Sequence, residues 1–127
     1  MKTKVLYVDD EPINLQLFKI NFTEKFDVYI ATDGFEGLEI LDKELGIMVI
    51  ICDMKMPEMD GIEFVKHAKE RFPDKKYYIL TGYEITSEIQ EALDSGLILR
   101  YFSKPFNIKE IEHSIDEATS ANSPGFY

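Results

Sequence analysis

The stretch IMVIICD, residues 47–53, constrains the fold more than any other part of the chain. An unbroken apolar run rich in β-branched residues leads straight into a carboxylate, Asp53. Such a run reads as a strand covered on both faces, as in a parallel sheet with helices on either side. A charge at its end is costly unless it faces a ligand. Met-Pro at 56–57 and Asp-Gly at 60–61 are turn signals, so the strand stops at the acid.

The rest of the chain alternates in the same way. Strands read over residues 4–8, 26–30, 77–80 and 98–102, in addition to 47–52. Helices read over 12–22, 35–45, 61–72, 85–93 and 106–118. Pro12 suits a first helical position, Asp33-Gly34 turns the chain, and Pro73 and Ser95-Gly96 stop helices. Five strand–helix alternations predict an α/β, doubly wound, five-stranded parallel sheet with right-handed crossovers and helices on both faces. With 127 residues and no repeat or internal linker, one domain is expected over 1–120. Residues 121–127 read as a flexible tail or the start of a linker.

The net charge of −10 argues against direct binding to nucleic acid or to an anionic membrane. The single cysteine, Cys52, forms no internal disulfide and suits a reducing compartment. By alternation its side chain leaves the face of Asp53 for the core. The N-terminus does not read as a signal peptide, and no apolar stretch has membrane-spanning length, so the expected location is cytoplasmic.

Ligands of such sheets bind at the carboxyl ends of the strands, near the switch in strand order. Those ends carry Asp9 and Asp10, Asp53, Thr81 and Lys104. Two unit charges about 4 Å apart repel by roughly 4 kcal/mol at an effective dielectric near 20. Three acids in one pocket therefore call for a cation or protons, and all-oxygen ligands select a hard cation. A hard cation, a lysine and a hydroxyl around one carboxylate make a phosphoryl site, with Asp53 as nucleophile and acceptor.

These residues carry a resemblance. Asp9-Asp10-Glu11-Pro12, the DMKMPEMDG of 53–61, Thr81-Gly82, and Tyr101 ahead of Lys104-Pro105 resemble the receiver domain of two-component response regulators, in order and spacing. The resemblance implies the flavodoxin-like fold with strand order 2-1-3-4-5. It implies that Asp53 takes a phosphoryl group from a sensor histidine kinase or a phosphotransfer protein of a phosphorelay. Asp10, Asp53 and the Lys55 carbonyl would hold Mg²⁺ (or Mn²⁺), with Asp9 acting largely through water. Thr81 and Lys104 would contact the phosphoryl group, Tyr101 would be the switch, and Lys104-Pro105 would be cis. A downstream output domain or protein, which the sequence does not name, would read the signal. The role is that of a signalling domain that promotes its own phosphorylation and slow dephosphorylation.

Other readings compete with parts of this one. A haloacid-dehalogenase-type phosphatase also uses an aspartyl nucleophile, but places a second Asp where this chain has Lys55. A receiver-like module that works without phosphorylation would not need the full set of acids. His67 and His113 read as surface residues, and Arg100 stands where DNA-binding regulators often have an acid. The first helix has two apolar stripes: Leu15, Phe18 and Phe22 are expected to face the sheet, leaving Ile13 and Leu17, beside Asn14, to dock a partner's helix. By the resemblance, Lys55 and Tyr83 flank the path of a hydrolytic water. Neither positions water well, so both are expected to slow phosphoryl loss.

Overall fold

The computed structural model describes residues 2–82 and 84–120. Strands β1 (Lys4–Val8), β2 (Asp27–Ala31), β3 (Val49–Asp53), β4 (Lys76–Thr81) and β5 (Arg100–Ser103) alternate with helices α1 (Pro12–Phe22), α2 (Gly34–Lys43), α3 (Gly61–Arg71), α4 (Ser87–Asp94) and α5 (Ile108–Ser120). All strand pairs are parallel, in the order β2-β1-β3-β4-β5. The flavodoxin-like expectation holds in order and direction. Tyr83 and the expected tail, 121–127, lie outside the described residues.

The period of two divides the core into two layers. Leu6, Val8, Ile50, Cys52, Tyr77 and Ile79 meet the buried faces of α2, α3 and α4. Val5, Tyr7, Val49, Ile51, Tyr78, Leu80 and Phe102 meet α1 and α5. Every residue of β3 is buried, which is why its sequence is apolar on both faces. On α1, Leu15, Phe18 and Phe22 are buried, while Ile13 is 69%, Leu17 46% and Ile20 74% exposed. The aromatic stripe thus faces the sheet as expected. Phe18 stacks on Tyr7 with ring centroids 4.3 Å apart, and Phe106 closes on Phe18 and Phe22, each at 5.8 Å.

Several boundaries differ from the sequence reading, for local reasons. Residues 47 and 48 precede β3: the Ile47 N–H bonds the Glu44 carbonyl, closing the turn after α2. Helix α4 begins at Ser87, not at 85, because Thr86 is its N-cap and accepts from the Ile89 N–H at 3.2 Å. Strand β5 begins at Arg100, not at 98, since the Leu97 and Ile98 N–H groups are spent on the Ala92 carbonyl. Helix α5 begins at Ile108, not at 106, with Asn107 Oδ1 accepting from the Glu110 N–H. Helices α2 and α3 start on Asp33 and Asp60 caps, the latter a full capping box with Glu63.

Candidate phosphoacceptor site

Asp53 closes β3 and is 4% exposed. Beyond it the chain turns tightly. The Met54 N–H bonds the Leu80 carbonyl, and the Gly61 N–H returns to the Met54 carbonyl at 2.9 Å. A Cβ on Gly61 would come within 2.6 Å of the Asp53 carbonyl oxygen, so only glycine lets α3 start this close under the acid. Between them Glu58 holds a positive φ of 68° in a turn closed by the Met59 N–H on the Pro57 carbonyl. Met56 and Met59 are buried beneath that loop, with Met54 half-buried.

The rim gathers the other acids. Asp9, Asp10 and Asp53 offer carboxylate oxygens that lie within 4.8 Å of one another. Asp10 is exposed, whereas Asp9 is fully buried. Asp9 Oδ1 accepts from the Glu11 N–H at 2.9 Å, and its Oδ2 accepts from the Tyr7 hydroxyl at 2.6 Å. The Lys104 ammonium completes the cluster, 2.9 Å from Asp53 Oδ1 and 3.7 Å from Asp9 Oδ2. Its backbone is tied in turn: the Lys104 N–H bonds the Thr81 carbonyl at 2.8 Å, and the Lys104–Pro105 peptide is cis as expected.

Burial and charge oppose each other here. Burial pushes the Asp53 carboxyl up, Lys104 pulls it down, Asp9 and Asp10 add to the rise, and the result is about 6. Burial alone would lower the Lys104 ammonium, but Asp53 and Asp9 outweigh it and its pKa rises. The Tyr7 phenol is raised far above its ordinary value, first by burial and then by Asp9, so it stays a donor. The Cys52 thiol is raised by burial and then by Asp53, which fits an inert core residue. An all-oxygen set of carboxylates beside one ammonium fits a hard divalent cation and has no soft ligand to favour another kind.

The other expected residues take distinct places. Thr81 ends β4, is 2% exposed, and follows Leu80, the residue that pairs with Asp53 between β3 and β4. Tyr101 is half-buried on β5, paired with Ile79. The Lys55 side chain is exposed at the rim. Ile13 and Leu17 are exposed and Asn14 is half-buried, its amide donating to Glu11. Leu17 and Asn14 border a groove of about 440 Å³ that reaches Lys104, Pro105 and Phe106. His67 and His113 lie exposed on α3 and α5. Arg100 is engaged within its own chain: it donates to the Ser114 hydroxyl and Glu110 and lies 5.5 Å from the Phe102 ring. Sequence reasoning did not identify Tyr7 as a partner of the site. Strand alternation places Tyr7 and Asp9 toward the same side, but the hydrogen bond between them depends on the turn that follows β1.

Comparisons with known proteins point the same way. The sequence model described as "Response regulator receiver domain" matches residues 5–116. The chain is 36% identical over 116 residues to the sporulation initiation phosphotransferase F of Bacillus subtilis, covering 91% of this chain and 92% of that protein. It is 28% identical to the hydrogenase transcriptional regulatory protein HoxA of Bradyrhizobium diazoefficiens, over 90% of this chain but only 23% of that longer protein. Among solved structures, a response regulator receiver domain protein from Clostridium thermocellum superposes with a TM-score of 0.87 at 30% identity. That match covers 94% of this chain and 96% of the other.

Proposed function

Because the chain belongs to the response regulator receiver domain family, whose members are phosphoryl-accepting signalling domains, we propose that Asp53 is its acceptor and a phosphohistidine protein its donor. In this step an Asp53 carboxylate oxygen forms a bond to phosphorus, the donor's P–N bond breaks, and its electron pair returns to the imidazole. The observation that carries the reading is the 2.9 Å contact of a buried Asp53 with Lys104 beside two further carboxylates.

Asp10, Asp53 and the main-chain carbonyl of Lys55 are proposed to hold Mg²⁺ or Mn²⁺, with Asp9 behind them. When bound, the cation supplies neutralisation of charge on the phosphoryl oxygens. Lys104 offsets a second oxygen as a point charge, and the Thr81 hydroxyl donates to a third. Thr81 moving toward the new anion gives Tyr101 room to turn, which is the proposed signal to an output domain or protein. The match to a phosphotransferase supports a phosphorelay role, and the match inside a longer regulator supports a tethered output. The chain is proposed to work in the cytoplasm. Among the described residues no helix is long and apolar enough to cross a membrane. Residues 1–120 are proposed as the domain, with 121–127 as tail or linker.

The donor's helix is proposed to lie on Ile13, Asn14 and Leu17. Asn14 and Leu17 line the α1 edge of the groove that opens toward Lys104, and Ile13 is exposed next to them, so a helix seated there carries its histidine toward Asp53. A phosphatase of haloacid-dehalogenase type is disfavoured by the side chain two residues after Asp53, a lysine that offers no general acid of the right kind.

The test is labelling with a small acyl phosphate donor in Mg²⁺. The natural protein should gain one acid-labile phosphoryl group. Asp53→Asn, or chelation of Mg²⁺, should abolish it. Full labelling of Asp53→Asn would overturn the assignment.

A further inference from the structure

We infer that Tyr7 is a positioning residue for the cation site, its buried phenol fixing the Asp9 carboxylate in the orientation from which it meets Asp10 and Asp53. The inference rests on reading that acidic cluster as a divalent-cation site.

Tyr7 stands next to last in β1 and is 0% exposed. Its ring is held by stacking on Phe18, 4.3 Å between centroids and 14° between planes. Phenylalanine would fill that place in the sheet and stack equally well. The hydroxyl adds nothing to the packing, and burying it is costly unless it is paired. Its hydrogen bond goes to Asp9 Oδ2, at 2.6 Å, the length of a hydroxyl donating to a charged oxygen. The other oxygen, Oδ1, is taken by the Glu11 N–H at 2.9 Å. With one donor on each oxygen the carboxylate cannot rotate freely. Lys104, 3.7 Å from Oδ2, adds charge without a close hydrogen bond.

Asp9 and Asp10 are adjacent in sequence yet differently held. Asp10 is exposed and Asp9 fully buried. The pairing of Tyr7 with Ile30 and Ile51 anchors the phenol to strands on both sides, so its hydroxyl is a fixed point on the sheet. A carboxylate fixed before the cation arrives needs no reordering on binding. Partners that orient a metal's ligands in this way typically change affinity by about 10- to 100-fold when removed. Asp9 stands behind the direct ligands, so the low end, about tenfold, is expected.

The experiment is direct titration with Mn²⁺, read by its electron paramagnetic resonance, on the natural protein, Tyr7→Phe and Leu15→Ala. Leu15 is buried in the same layer as Tyr7 and serves as the packing control. Tyr7→Phe should bind Mn²⁺ about tenfold more weakly. Leu15→Ala should melt at lower temperature with unchanged Mn²⁺ affinity. Equal or tighter binding by Tyr7→Phe would overturn the role of Tyr7 alone. So would a loss of affinity in Leu15→Ala as large as that in Tyr7→Phe. Absence of binding to the natural protein would overturn the cation reading and this inference with it. Should Tyr7→Phe not fold, the hydroxyl proton of Tyr7 in the natural protein decides by magnetic resonance. It should be protected from exchange and shift on adding Mg²⁺; a freely exchanging or unshifted proton would refute the role.

Discussion

Lys104 Nζ lies 2.9 Å from Asp53 Oδ1 and 3.7 Å from Asp9 Oδ2, so one ammonium spans two of the three clustered carboxylates. Removing it takes away the ammonium that faces Asp53 and Asp9. Lys104→Met should destabilise the metal-free protein by about 1–3 kcal/mol, the usual cost of leaving a buried polar group without its partner. Saturating Mg²⁺ should recover more stability in the variant than in the natural protein, because the cation replaces the missing charge. Thermal melts with chelator and with Mg²⁺ test this; an equal gain in both would contradict it.

The raised carboxyl of Asp53 gives a pH dependence with a definite sign. Its ordinary value is 3.8 and its folded value about 6. Between these the folded protein holds a proton that the unfolded chain has released. The stability from this group is therefore full below about pH 4 and is lost as pH rises through about 6. In chelator, the natural protein should lose stability relative to Asp53→Asn over that window. Mg²⁺ should reverse the trend, since it binds the ionised form. Denaturant midpoints of the two proteins across pH measure the difference, and a flat difference would contradict the assignment of burial as the dominant cause.

Some of this was legible in the sequence and some was not, for physical reasons. The run ending at Asp53 announced both a strand covered on two faces and a site at its end, because only a buried parallel strand needs such a composition. Leu15, Phe18 and Phe22 gave the inward face of α1 through helical period alone. The starts of α4 and β5 were misplaced by apolar residues. Ile85, Ile98 and Leu99 look like element interiors, yet hydrogen bonds of Thr86 and of the Ala92 carbonyl decide where the elements begin. The bonds of Asp9 to Tyr7 and Glu11 depend on rotamers and on the turn after β1, which composition does not encode. The tie of Arg100 to Ser114 and Glu110 joins residues that only the tertiary fold brings together.

Docking through α1 makes a separate prediction. Leu17 is 46% exposed beside the groove that leads to Lys104. Leu17→Asp should slow transfer from a phosphohistidine protein by about tenfold, the loss expected for an interface anchor. Labelling by a small acyl phosphate should be unchanged, since that donor needs no helix contact. Equal slowing of both reactions would place the defect in Asp53 chemistry and refute docking.

Phosphoryl lifetime tests the roles of Lys55 and Tyr83. The exposed lysine is proposed to pair with a phosphoryl oxygen, and the tyrosine, which follows Thr81-Gly82 in sequence, to cover the water's approach. Phospho-Asp53 should decay several-fold faster in Lys55→Asn and in Tyr83→Ala than in the natural sequence. Decay in the natural protein as fast as in either variant would refute shielding.

The central claim is that the phosphoryl group resides on Asp53 and nowhere else. An acyl phosphate, unlike a free carboxylate or a phosphohistidine, is reduced by borohydride to the alcohol, which converts the labelled aspartate to homoserine. After phosphorylation in Mg²⁺, borohydride treatment and peptide mapping by mass spectrometry should find homoserine at position 53 alone. Omission of donor or of Mg²⁺ should remove it. Homoserine at position 9 or 10, or a labelled histidine with position 53 intact, would contradict the account.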